Sequence, residues 1–244
     1  MRRFYLENPP ISDIVLLNGV EARHITRVLR LKRGDEMVLF DGAGTAYCGV
    51  LTESHADGVT VQIRDTFKPK SSASQTVLMQ AVLKSQKMDF IVQKSTELGC
   101  ARIIPFFSSR CIPRWDADKG AQKQHHWQQI AIAAVKQSGV RRLPIIDQPC
   151  NFETALASAG DIYLKVLLWE DEQSASFGAL MREKKPDQAI LLIVGPEGGF
   201  SEAEVELARR YGFCSAGLGK TILRAETVPL TVLSIIGYET GFIG

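Results

Sequence analysis

Apolar residues in the last two thirds of the chain alternate between short β-like runs and stretches with helical spacing. The focal stretch is residues 188–206, QAILLIVGPEGGFSEAEVE. Ala189 to Val194 is rich in β-branched residues and too short for a helix, so it predicts a strand buried on both faces. Gly195-Pro196-Glu197-Gly198-Gly199 ends that strand, and adjacent glycines leave no side chain in a ligand's way. Ser201 and Glu204 form an S-x-x-E capping box, which predicts a helix start. Before this stretch, strands are expected at 77–83, 102–107 and 162–169. Helices are expected at 87–98, at 122–137 with Ile130, Ala133 and Ala134 inward, and at 175–182. After it come a short strand at 214–218 and a final helix from about Glu226. This alternation predicts an α/β domain with a mainly parallel, doubly wound sheet.

Residues 1 to about 70 have another rhythm. Short segments at 36–40, 46–51 and 59–63 are separated by Asp41-Gly42-Ala43-Gly44 and Asp57-Gly58, which suggests a small β-barrel. One helix is expected from Glu21 to Leu31, with Ile25, Val28 and Leu29 toward the core. In that helix Arg23, Arg27 and Arg30 share a face. A row of guanidiniums suits a phosphate backbone, and it equally suits a solvated helix face. The Pro/Ser/Lys stretch at 67–74 reads as the linker between two domains, 1–72 and 73–244.

Composition changes this picture little. The net charge of +2 does not announce a nucleic-acid partner. Its distribution is more informative, because residues 110–142 carry seven Lys or Arg against two Asp, whereas acidic residues dominate 153–206. That segregation suggests a face for an anionic partner, with Arg110 and Arg141 joining the earlier arginines as candidate RNA contacts. The five scattered cysteines, never in C-x-x-C, point to a reducing cytoplasm and away from a cysteine-based metal site. No apolar run reaches membrane-spanning length, and MRRFYLENPP lacks the apolar core of a secretory signal.

Several chemistries fit poorly. Gly219-Lys220-Thr221 resembles the end of a P-loop, but Cys214 stands where its first glycine belongs. The turn at 195–199 is not G-x-G-x-x-G and falls late in the chain. There is no G-x-S-x-G, and His125 and His126, adjacent on a helix, diverge by about 100°. Glycine-rich strand ends at 195–199 and 217–219, completed by Leu168-Trp169-Glu170, fit an adenosine without a pyrophosphate, as in S-adenosylmethionine.

The motifs Lys94-Ser95-Thr96-Glu97-Leu98-Gly99, Gln137-Ser138-Gly139, Gly195 to Phe200 and Leu218 to Thr227 occur in that order, with His24 to Arg30 ahead of them. Together they closely resemble the small-subunit ribosomal RNA methyltransferase E family, the uracil-N3 methyltransferases, over essentially the whole chain. The resemblance implies an N-terminal PUA-like β-barrel that helps to bind RNA. It also implies a C-terminal SPOUT-type parallel-sheet domain with a trefoil knot, which nothing in the periodicity indicates. S-adenosylmethionine is then expected beside a homodimer interface. The cofactor residues so implied are Leu168, Gly195, Glu197, Gly198, Gly199, Leu218, Gly219, Ile222 and Leu223. Arg224 and Glu226 are implied at the target base, a uridine of the decoding region in small-subunit RNA within a 30S particle. Arg224 cannot act as a base, because its guanidinium stays protonated. Glu226 could accept a proton or could instead favour the start of the last helix through its dipole. Thr221 and Lys136 depart from the family pattern, where arginine and glutamate are usual.

Overall fold

The computed structural model describes the chain except Met1, Ala56, Asp57, residues 69–75, Pro113, Arg141, Asp161, Ile162, Pro186 and Asp187; the side chains of Ser85 and Tyr163 are also not described. Most of the expected linker therefore lies outside the described residues, as does Arg141. The chain forms two compact units, residues 1–72 with 132–143, and 73–131 with 144–244.

The first unit is a five-stranded sheet. Its strands are β1 (Arg2–Tyr5), β2 (Ile14–Asn18), β3 (Glu36–Phe40), β4 (Ala46–Ser54) and β5 (Gly58–Phe67), in the order β1-β3-β4-β5-β2. β1 pairs parallel with β3 and every other pairing is antiparallel. Phe4, Met37, Leu39, Leu51, Val59 and Val61 fill its core. Each such buried side chain stabilises by roughly 1.5–3 kcal/mol.

The expected helix over 21–31 forms differently. A short helix α1 (Gly19–Arg23) passes into a π-helical turn at His24–Val28, where the Leu29 N–H donates to the His24 carbonyl at 2.9 Å. Arg30 then takes a positive φ of 51°. The wider turn breaks the 3.6-residue register, so the three arginines do not form one regular row. Ile25 is fully buried, whereas Val28 is exposed, contrary to its expected inward position. The chain returns to this unit at the end of α3 (Ala117–Ser138), where Lys136 pairs with Glu21. That partner accounts locally for a cation at position 136. Trp127, Ala131, Ala134 and Val135 form the buried stripe of α3, and Ala133 faces outward rather than inward.

The second unit is built on a wholly parallel sheet. Its strands are β6 (Thr76–Ala81), β7 (Arg102–Phe107), β8 (Ile145–Ile146), β9 (Cys150–Asn151), β10 (Tyr163–Leu168), β11 (Ala189–Val194) and β12 (Cys214–Ala216). The order is β12-β10-β11-β6-β7-β8, with β9 also on β7. Helices α2 (Ser85–Glu97), α4 (Phe152–Ala157), α5 (Phe177–Glu183), α6 (Glu202–Arg210) and α7 (Thr227–Glu239) connect or follow the strands. All six residues of β6 and the last five of β11 are buried. Two covered faces require such continuous apolar runs, which explains why these strands lack alternation. Met79, Phe106, Leu191, Ile193, Val205 and Phe213 lie in one core cluster. Among the described residues, no helix is long and apolar enough to cross a membrane.

Candidate active site

Three neighbouring strands of the second unit end in the same row. Leu168 of β10 stands opposite Val194 of β11 and Ala216 of β12. These three residues form part of the wall of a cavity of about 410 Å³, and the segments leaving each strand, with Lys87 of α2, line the rest. Parallel strands place all their carboxyl ends on one edge, where ligands of open α/β sheets bind. The volume falls within the usual range for small-molecule sites.

Glycines shape this edge for steric reasons. A Cβ on Gly195 would stand 2.9 Å from the Phe200 ring, and Gly199 has φ +67° with its Cβ position against the Glu170 carboxylate. At Gly217 a Cβ would come 2.4 Å from the Glu172 carbonyl oxygen. Gly217 is held there by two backbone bonds: its N–H donates to Ala175 at 2.9 Å, and the Phe177 N–H donates to its carbonyl at 3.0 Å. Glu172 ties the same loop to β12, accepting from the Ser215 hydroxyl at 2.5 Å. The Ser174 and Ser215 hydroxyls, followed by backbone N–H groups, lower its pKa to about 2.

The glycine turn after β11 is braced from its far side. The capping box at the start of α6 is complete, because Ser201 and Glu204 exchange side-chain and backbone bonds. Glu204 also accepts from the Ser109 N–H at 2.8 Å and from its hydroxyl at 2.9 Å. Arg110 donates to the Gly198 carbonyl at 2.8 Å. This candidate RNA contact is thus engaged by the loop itself.

Charged groups gather on one part of the cavity wall. Lys87, in the first turn of α2, lies 3.2 Å from a Glu197 oxygen and 3.0 Å from a Glu226 oxygen. Arg224 and Lys220 line the same cavity. Burial pushes the Glu226 carboxyl up, but its own backbone N–H, Lys87 and Arg224 outweigh that and hold it below its ordinary value. Contact with Glu226, then with Glu197, raises Lys87. Glu226 is the N-cap residue of α7, yet its side chain makes no capping bond.

The structure brings Leu168, Gly195, Glu197, Gly199, Leu218, Gly219, Ile222, Leu223, Arg224 and Glu226 together around this cavity. Gly198 is off its wall and serves the Arg110 contact instead. Arg23, Arg27 and Arg30 are exposed on the first unit. Thr221 lines the cavity. Sequence reasoning missed Lys87. The available signal was electrostatic: Lys84 and Lys87 begin a helix with no acid in its first turn, against the preference set by the helix dipole. Trp169 also lines the cavity, and its indole N–H has no hydrogen-bond partner. Among the described residues, no cluster of His, Cys, Asp or Glu is placed to hold a metal.

Residues 70–237 match the family model of an RNA methyltransferase domain, and residues 17–64 match an RNA methyltransferase PUA domain. Relatives that carry the name ribosomal RNA small subunit methyltransferase E include one from Bacillus subtilis and one from Synechocystis. The one from Bacillus subtilis is 31% identical, with 96% of this chain and 93% of the relative aligned. The one from Synechocystis is also 31% identical, with 93% and 73% aligned. A crystal structure of ribosomal RNA small subunit methyltransferase E from Neisseria gonorrhoeae bound to S-adenosylmethionine superposes with a TM-score of 0.87. It is 32% identical, and the match covers 98% of this chain and 97% of that one.

Proposed function

The chain belongs to the ribosomal RNA small subunit methyltransferase E family, and we propose that it transfers a methyl group to N3 of one uridine in the decoding region of 16S RNA. It is an S-adenosylmethionine-dependent RNA methyltransferase with a PUA-like first domain. The observation that carries the proposal is the pairing, on one cavity wall, of a permanent cation, Arg224, with a carboxylate held ionised, Glu226. Uracil N3–H lies between two carbonyls, so its removal needs a proton acceptor and a donor to the developing oxyanion.

The residues present fit the cofactor. The cavity offers side-chain-free approach at Gly195, Gly199 and Gly219, an apolar wall at Leu168, Leu218 and Leu223, and the unpartnered Trp169 indole N–H. S-adenosylmethionine supplies an electrophilic methyl group when bound. Leu168, Gly195, Glu197, Gly199, Leu218, Gly219, Ile222 and Leu223 hold the adenosine, while Gly198 stays with the Arg110 brace. Arg224 stabilises charge on a uracil oxygen, worth two to three orders of magnitude in rate for comparable donors, or about 2.7–4 kcal/mol. Glu226 accepts the N3 proton, consistent with the absence of a capping bond from its side chain. N3 lies on the Watson–Crick edge, so the uridine enters unpaired or flipped out.

Residues 1–72 form the RNA-binding domain and 73–244 the catalytic one, with Arg23, Arg27, Arg30 and Arg141 contacting RNA phosphates. The catalytic domain follows a trefoil-knotted path in this reading. The enzyme works on a 30S particle, in the cytoplasm, as a homodimer. Ile222 and Tyr238, 80% and 72% exposed, are apolar surfaces suited to a second copy, and five free cysteines suit a reducing compartment. The test is nucleoside mass spectrometry of small subunits lacking the mark after incubation with protein and cofactor. One N3-methyluridine at one position supports the proposal. A ribose 2′-O-methyl product, or a methylated transfer RNA base, refutes it.

A further inference from the structure

The ammonium of Lys87 touches two carboxylates that belong to different loops of the same cavity. Glu197 comes from the glycine turn after β11, and Glu226 from the segment that enters α7. The side chain of Glu226 is only 18% exposed. Its Oε2 is buried without a hydrogen bond, and the cations facing the carboxylate are the Lys87 ammonium at 3.0 Å and Arg224, beside the Glu226 backbone N–H. Burying a carboxylate without a cation favours its neutral form.

Lys87 occupies an unfavourable place for helix stability. It lies in the first turn of α2, where the aligned peptide dipoles repel a cation. Lys84, the N-cap residue, makes no side-chain capping bond to offset this. A cation kept at the wrong helix end, and directed at two carboxylates on a cavity wall, indicates a role other than stabilising α2.

We propose that Lys87 is a positioning residue for methyl transfer: it holds Glu226 ionised and aimed into the cavity and ties that segment to the Glu197 turn. The inference rests on the reading of Glu226 as proton acceptor. In the step it supports, the N3–H bond breaks and its proton goes to a Glu226 oxygen. The N3 electron pair forms the bond to the methyl carbon, the sulfur–methyl bond breaks, and its electron pair remains on sulfur, leaving neutral S-adenosylhomocysteine. Lys87 touches neither nitrogen nor methyl. It sets the charge and direction of the acceptor.

The sign follows from linkage. A carboxylate held low by a cation is ionised throughout the neutral range, so activity falls only at acidic pH. Without the cation its pKa rises, and the acidic fall of kcat moves toward neutral pH. The test uses the full chain as Lys87→Met and Lys87→Arg. It follows kcat and KM against pH, together with the carbon-13 carboxyl signal of Glu226, assigned by its loss in Glu226→Gln.

Lys87→Met is expected to lower kcat at acidic pH, with the deficit shrinking toward neutral pH and KM for RNA within about twofold. Both the acidic limb and the Glu226 titration should move up together, and Lys87→Arg should restore both. Unchanged titration and pH profile in Lys87→Met overturn the proposal. So does a loss of activity that arginine does not rescue, or one that is uniform across pH. Wild-type protein that shows no heat of binding with S-adenosylmethionine overturns the cavity reading itself, whatever Glu226 does.

Discussion

Replacing Gly217 with alanine probes how tightly the chain is packed under the site. Gly217 itself does not line the cavity, whereas Leu218 and Gly219 do. The new Cβ would lie 2.4 Å from the Glu172 carbonyl oxygen and 3.8 Å from that of Ala175. Real Cβ atoms stay beyond about 3.0 Å of such atoms, so backbone must separate by about 0.6 Å. Neither side yields freely. Gly217 is buried and bonded to Ala175 and Phe177, and the Glu172 side chain is anchored to Ser215. Overpacking of this kind costs about 1–3 kcal/mol. Weakening two backbone hydrogen bonds adds about 0.5–1.5 kcal/mol each. A loss of about 2–6 kcal/mol is expected, which lowers the melting temperature by roughly 4–24 °C for a chain of this size. Gly178→Ala is the control. It lies in α5, where its Cβ would make only an ordinary contact with the Arg182 guanidinium at 3.8 Å, and should stabilise by about 0.4–1 kcal/mol. Differential scanning calorimetry with and without S-adenosylmethionine measures both variants. Gly217→Ala protein that melts with the wild type and keeps its cofactor affinity would refute the packing argument.

Further expectations follow from the charged groups. Arg224→Ala should lower kcat by about two to three orders of magnitude while calorimetric affinity for S-adenosylmethionine stays within about twofold; full turnover in that variant rejects the assigned role. Glu172→Gln should cost about 1.5–3 kcal/mol at pH 7, as hydrogen bonds to a charged acceptor are lost. Because the Glu172 pKa is lowered from 4.5 to about 2, that stabilisation is complete above 4.5 and is lost as pH falls toward 2. Urea unfolding of both proteins between pH 7 and pH 2 checks the sign, and a difference that grows as pH falls contradicts it.

What could be read in the chain was mostly local. The strand at 189–194 and the Ser201–Glu204 box are specified by neighbours in sequence, and both appear where expected. The helix at 21–31 was misjudged because its spacing suits a 3.6-residue turn, whereas burial of Ile25 under the β-sheet goes with a π-helical turn. The strand β2 escaped notice because Ile14 and Leu16 are apolar yet exposed, which erases the alternation. In α3 the inward position of Trp127 was overlooked because polar residues precede and follow it. Glycines 195, 199 and 219 signalled a ligand edge, but their meeting depends on the strand order β12-β10-β11, which no local pattern contains. Lys87 was invisible for the same reason, since Glu197 and Glu226 are its neighbours only after the sheet assembles.

The cavity at the ends of β10, β11 and β12 is the centre of this account. Titration calorimetry of S-adenosylmethionine into the wild-type protein and into Leu218→Trp tests it most directly, because the indole would occupy the volume next to Leu168 and Leu223. Saturable binding to the wild type is expected, with the heat abolished in a variant that melts at the same temperature. Equal affinity in the two proteins, or no heat in the first, would contradict it.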